Sequence, residues 1–113
     1  MSESNGWASL ILAVHDLALA QVQVPEWANV GDLYVREWDG SSREKVERAA
    51  QEPNANLTPL IVCLSLCDAV GKRIFSDTDL DALAGKNAKV LDRIAMAAWT
   101  HNGMPLPAEA PGK

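Results

Sequence analysis

Few side chains in this 113-residue sequence are spaced for chemistry. Asp77-Thr78-Asp79-Leu80-Asp81 repeats the acid spacing that opens a calcium loop. The match stops there, because the position needing a turn glycine is Ala82 and the one needing a bidentate glutamate is Ala88. Acids that favour the dipole at a helix start explain the run better. Cys63 and Cys67 lie four apart in an apolar segment, a spacing that stacks them on one helix face rather than forming a metal knuckle or redox CxxC pair. They read as buried, reduced thiols. His15 and His101 are distant in sequence, sit beside Asp16 and Asn102, and lack the spacing of metal ligands or acid–base pairs. Both read as helix-end residues. No GxSxG, GxGxxG or GxxxxGK(S/T) string occurs. The sequence carries no recognisable catalytic, cofactor-binding or metal constellation, so the expectation is a non-enzyme without cofactor.

Composition narrows the classes further. Ten Lys and Arg against fifteen Asp and Glu give a net charge of -5, and no basic stripe offers the footprint that a phosphate backbone requires. Nucleic acid is therefore not an expected partner. The N-terminal apolar run, Trp7 to Val14, follows Glu3 with no Lys or Arg and is too short to span a bilayer. A cytoplasmic protein without membrane attachment is expected, which also removes the force of the Asn56-Leu57-Thr58 glycosylation sequon. The charge is uneven. Residues 1–34 contain four acids and no Lys or Arg, whereas residues 86–113 carry Lys86, Lys89, Arg93 and Lys113 against Asp92 and Glu109. The two ends suit contact with each other or with other copies.

The elements follow from periodicity and punctuation. One domain over residues 7–103 is expected, with a loose N-terminus at 1–6 and a flexible Pro-rich tail at 104–113. Apolar residues at 7, 10, 11, 14 and 17 predict a short amphipathic helix from Trp7 to Leu19. A β-hairpin over about 21–38 pairs Val22-Gln23-Val24 with Leu33 to Trp38, and places Pro25 at a strand end or edge. Ser41 with Glu44 reads as a capping box for a charged helix reaching Gln51. Thr58-Pro59 opens a helix that is apolar nearly all round to Val70. Such a helix is buried on every side, and in a domain this small that raises the expectation of self-association. A second capping box, Ser76 with Asp79, starts a helix to Ala84 that Gly85 ends in a left-handed cap, and a last helix runs from Asn87 to His101. The fold class is α+β, mainly α-helical, with four to five helices and one small β-hairpin.

This ordered set resembles the tail assembly chaperones of long-tailed bacteriophages and prophages. The residues that carry it are the Val-Pro-Glu-Trp hairpin, Val35-Arg36-Glu37, the capped charged helix, and the apolar helix running into Asp68, Gly71 and Arg73-Ile74-Phe75. Ser76-Asp77-x-Asp79, Leu91-Asp92-Arg93-Ile94 and Asn102-Gly103 complete it, so the similarity spans about residues 10 to 103. It implies a non-enzymatic assembly factor that coats and solubilises the tape measure protein, recruits tail tube protein, and is absent from the mature virion. A frameshift-extended second form is common in the family, and the Pro-rich tail suits a tether to such an extension.

On this reading Arg36, Trp38, Arg43 and Arg48, on the hairpin and the charged helix, are candidates for partner contact. Trp38 and Trp27 are also candidates for covering the sheet as core. Leu60, Leu64, Cys67, Ile94 and Trp99 are candidates for core or self-association, so a homo-oligomer is expected. The competing functions are a small structural or connector protein of the tail or head–tail machinery, and a regulatory or antitoxin-like binding module.

Overall fold

The computed structural model describes residues 3–53 and 56–105. Among these residues, five α-helices accompany a three-stranded antiparallel sheet of order β1-β2-β3, an α+β fold that is mainly helical. Its strands are β1 (Leu19–Val22), β2 (Leu33–Arg36) and β3 (Leu66–Cys67). The hairpin is present, with Leu19 opposite Arg36 and Val22 opposite Leu33, but β1 begins earlier than the alternation of Val22 and Val24 implies. Between the strands Pro25–Val30 forms a 3₁₀ segment with Pro25 in its first turn, where a missing N–H is harmless. Trp27 thus lies beside the sheet rather than on it.

The third strand was not anticipated. The apolar run expected to stay helical to Val70 is helical only as α3 (Leu57–Ser65), then extends as β3 and pairs Val35 with Leu66 and Tyr34 with Cys67. Cys63 and Cys67 therefore do not share a helix face, although both are buried free thiols. An Asp68 turn follows: its carboxylate accepts from the N–H of Val70 at 3.0 Å and of Lys72 at 2.9 Å, and Gly71 takes a φ of 87° that other residues rarely adopt. The turn returns the chain so that Arg73 bridges to Cys67.

Burial of the second half of α3 comes from within the chain, while residues 57–60 are half-buried. Ile61 to Cys67 are buried, packed with Val35 and Val46 and with Val90, Leu91, Ile94 and Ala98 of α5 (Ala88–His101). Leu64, Cys67 and Ile94 are thus intramolecular core, while Leu60 and Trp99 are half-buried at its edge. The inference of self-association from an all-apolar helix loses its basis, since the sheet and α5 cover that surface.

Several local expectations also change. Helix α2 (Gly40–Ala50) is capped by Asp39, whose carboxylate accepts from the N–H of Ser42 at 2.7 Å, and not by Ser41. Asn56, rather than Thr58, precedes α3. The Ser76–Asp79 capping box is present and leads through a 3₁₀ turn, Asp77–Asp79, into α4 (Leu80–Ala84). Gly85 ends α4 with a φ of -85°, so no left-handed cap forms there. Asn87 caps α5 through its side chain, and Gly103, at φ 73°, turns the chain away after Asn102. Met104 then packs on the core, and the Trp99 indole donates to the Pro105 carbonyl, so the start of the expected flexible tail is held. Residues 106–113 of that tail lie outside the described residues, as do residues 1 and 2.

The largest departure is at the N-terminus. Helix α1 runs over Glu3–Leu12, so residues 3–6, expected to be loose, are helical, whereas Ala13 is a turn and 14–18 are irregular rather than helical to Leu19. No other element packs extensively on α1.

Candidate protein interface

An apolar helix is useful to a fold when another surface covers its apolar stripe. On α1 that stripe is open: Trp7, Leu10, Ile11 and Leu12 are 67–83% exposed, and Val14 just beyond them is exposed as well. Residues 7, 10 and 11, all within α1, have the i, i+3, i+4 spacing of a helix that docks on a partner. Near the arm's base a cleft of about 480 Å³ is formed by Val14, Leu17, Leu19, Arg36, Ala69 and Val70. Val70, at the tip of the Asp68 turn, is 85% exposed.

Two further apolar concavities open on the domain. One, of about 330 Å³, lies between α3 and α5 and is lined by Leu57, Ile61, Ala95, Met96 and Trp99, with Thr58 and Asp92 completing the lining. The other, of about 240 Å³, lies among Trp27, Val30, Leu33, Ile74, Phe75 and Lys86; Val30 and Ile74 are exposed there. A cleft of about 620 Å³ between the end of α5 and the start of α2, lined by Asp16, Glu37, Asp39, Arg43, His101 and Asn102 among others, is polar. His101 Nε2 lies 2.9 Å from the carbonyl oxygen of Ala18, and the Asp39 carboxyl is held below the usual range by the Ser42 N–H. His101 ends α5 as expected, whereas His15 lies in the irregular segment between α1 and β1.

The four contact candidates are not brought together on one open surface. Trp38 is only 7% exposed; its indole donates to Ser65 and its ring meets Trp99 edge-to-face at 6.4 Å. Burying an indole with its N–H satisfied makes Trp38 core, not a contact residue. Arg36 is half-buried, and its Nε donates to the Leu64 carbonyl at 3.2 Å, one of the carbonyls a helix C-terminus leaves unpaired. Arg73 does the same for Cys63 at 3.1 Å while pairing with Asp77. Arg43 and Arg48 are exposed on α2 and pair with Glu47 and Glu44 one turn away, giving a solvated, self-neutralised ridge.

Nothing in the described residues assembles a reacting centre. Burial pushes the Cys63 and Cys67 thiols up, away from the thiolate that nucleophiles and ligands need. Asp77 is held low by Arg73 with help from Lys45, and Asp79 caps its own turn, which explains the calcium-like acids structurally. Among the described residues no group of His, Cys, Asp or Glu is placed to hold a metal ion. No helix among them is long and apolar enough to cross a membrane.

The solved structure of the bacteriophage HK97 tail assembly chaperone matches this chain with a TM-score of 0.64, over 86% of this chain and 93% of that one, at 20% identity. The chain has a tail assembly chaperone fold. No protein-family model and no curated protein matches the sequence. The likeness covers nearly the whole tail assembly chaperone, so it concerns the complete arrangement and not a single helical pair. Sequence periodicity signalled the α1 stripe but not its exposure, because the spacing marks an apolar face without naming its cover.

Proposed function

We propose that this chain is a phage tail assembly chaperone that binds and solubilises the tape measure protein and helps recruit tail tube subunits. The shared fold, over 86% of this chain and 93% of the HK97 protein, is the observation that carries the reading. The exposed apolar surfaces support it, since a chaperone of a long helical client needs grooves and unpartnered stripes rather than a reacting pocket.

The cleft of Trp27, Val30, Ile74 and Phe75 is the surface we assign to the client, with Lys86 at its edge to meet an acid on the client helix. Each cleft is small, so a homo-oligomer that repeats it along the client would sum modest contacts into firm binding. The chaperone acts in the host cytoplasm and leaves before the virion is complete. A frameshift-extended form would carry the same domain, with the Pro-rich C-terminal run as tether to the extension. Co-purification tests the reading: tagged chaperone should retain tape measure protein through size exclusion, and Ile74→Asp should lose it. Equal retention by the wild type and an unrelated acidic protein would refute it.

A further inference from the structure

We propose that the open edge of β1 is a docking strand, which takes an extended amphipathic segment of a partner protein with a Lys or Arg at its N-terminal end. The inference goes beyond the proposed function. It concerns a sheet edge and not the cleft assigned to the client helix, and its partner binds as a strand.

Strand β1 is paired on one side only, by β2. In an antiparallel ladder alternate residues exchange backbone hydrogen bonds with the neighbouring strand, and the residues between them turn their N–H and C=O the other way. The Glu37 N–H donates to the Ala18 carbonyl at 2.9 Å, so Ala18 and, by register, Ala20 and Val22 face β2. Leu19 and Gln21 therefore turn their N–H and C=O groups outward, where no group of the described residues bonds to them. Donors and acceptors repeating at every second residue match the backbone of another strand. Proteins commonly blunt such an edge with a Lys, a Pro or a bulge. Leu19–Val22 contains neither residue, and its register runs unbroken.

The flanks of the edge specify its occupant. Val22 and Val24 are buried toward the core while Gln21 and Gln23 are exposed, so an added strand meets an apolar row on one face and a polar row on the other. At the strand's end Gln21, Gln23, Val24, Ala28 and Asp32 line a hollow of about 280 Å³, in which Asp32 is the only charged lining residue. Both strand pairs of the sheet are antiparallel, and a segment continuing that pattern brings its N-terminal end to Asp32. A Lys or Arg at that end completes the match. A second copy is the poorer occupant. Two β1 edges in antiparallel register set the Asp32 end of each against the Asp16 end of the other, within a stretch, residues 1–34, that has no Lys or Arg. Arg36 and Arg43, which line clefts with Asp16, are already engaged by the Leu64 carbonyl and by Glu47.

The test is fluorescence anisotropy of the full chain with the peptide acetyl-Lys-Val-Thr-Val-Thr-Val, labelled with fluorescein at its C-terminal end. Wild type should bind it. Gln21→Pro, which removes an outward N–H and no ladder bond to β2, should weaken binding about tenfold. Asp32→Asn should weaken it about threefold. Gln21 is exposed, so native circular dichroism is expected of its variant. Should Gln21→Pro unfold, the peptide is altered instead: of two versions N-methylated at alternate positions, the one blocked toward β1 should fail to bind and the other should bind. No binding of the unmodified peptide at millimolar concentration overturns the proposal, as does Gln21→Pro binding like wild type or equal binding by the two methylated peptides. Self-association lost in Gln21→Pro with peptide binding unchanged would give the edge to a second copy and overturn it as well. None of these results bears on tape measure retention, so the proposed function stands or falls separately.

Discussion

The Trp38 indole donates from Nε1 to Ser65 Oγ at 2.7 Å, a buried hydrogen bond that fixes the end of β2 against the end of α3. Asn102 extends the join to α5: its Oδ1 accepts from the Trp38 N–H at 2.8 Å, and its Nδ2 donates to the Ala98 carbonyl at 2.9 Å. Three elements distant in sequence thus meet at one polar knot within an apolar core. Trp38→Phe should destabilise the chain by about 1–3 kcal/mol, because Ser65 loses its buried partner. Urea denaturation of Trp38→Phe, Ser65→Ala and the double variant should show coupling; additive effects would show that the bond is energetically idle.

A second tie crosses the chain at its surface. Arg93 donates to both carboxylate oxygens of Glu26, at 2.6 and 2.9 Å, so part of the attraction between acidic N-terminal and basic C-terminal segments is satisfied within one molecule. Hydrogen bonding to Arg93 lowers the Glu26 carboxyl from an ordinary 4.5 to about 2. A depressed carboxyl pKa contributes stability that is present above about pH 4.5 and lost as the pH falls toward 2. Arg93→Ala should flatten that part of the acid titration of stability, measured as urea midpoint against pH, and leave the midpoint's slope near pH 7 unchanged.

The α1 arm and the core should respond oppositely to substitution. Leu10→Asp should change folding stability by less than about 0.5 kcal/mol, since Leu10 is open to solvent. Leu64→Ala, at a fully buried position of α3, should cost about 2–5 kcal/mol through lost contacts and a residual cavity. Thermal melts of the two variants at low protein concentration separate the effects.

The arginines divide in the same way. Arg73→Ala should cost about 1–3 kcal/mol, because it leaves the Cys63 carbonyl unpaired and releases Asp77. Arg43→Ala and Arg48→Ala remove exposed ion pairs on α2 and should each stay within about 0.5 kcal/mol of wild type. Equal losses in all three variants would contradict the division between a helix-capping arginine and a solvated ridge.

The sequence disclosed what local chemistry decides. The apolar periodicity of Val90, Leu91, Ile94 and Ala98 marked α5, and Ser76 with Asp79 marked its box, because both signals are read within a few helical turns. Leu66 and Cys67 hid their strand inside an apolar run, where buried helix and buried strand look alike and pairing with Tyr34 and Val35 decides. Trp38 read as core with contact as its alternative, and Ser65 and Trp99 beside it decide for the core. Trp7, Leu10 and Ile11 showed an apolar face, but periodicity is silent on whether a face meets its own domain or another molecule.

Co-expression with the tape measure protein tests the central claim most directly. The soluble fraction of tape measure protein should rise on adding this chain, the two should elute together, and Ile74→Asp should return the client to the pellet. A tape measure protein equally insoluble with and without the chain, with no complex on size exclusion, would contradict the account.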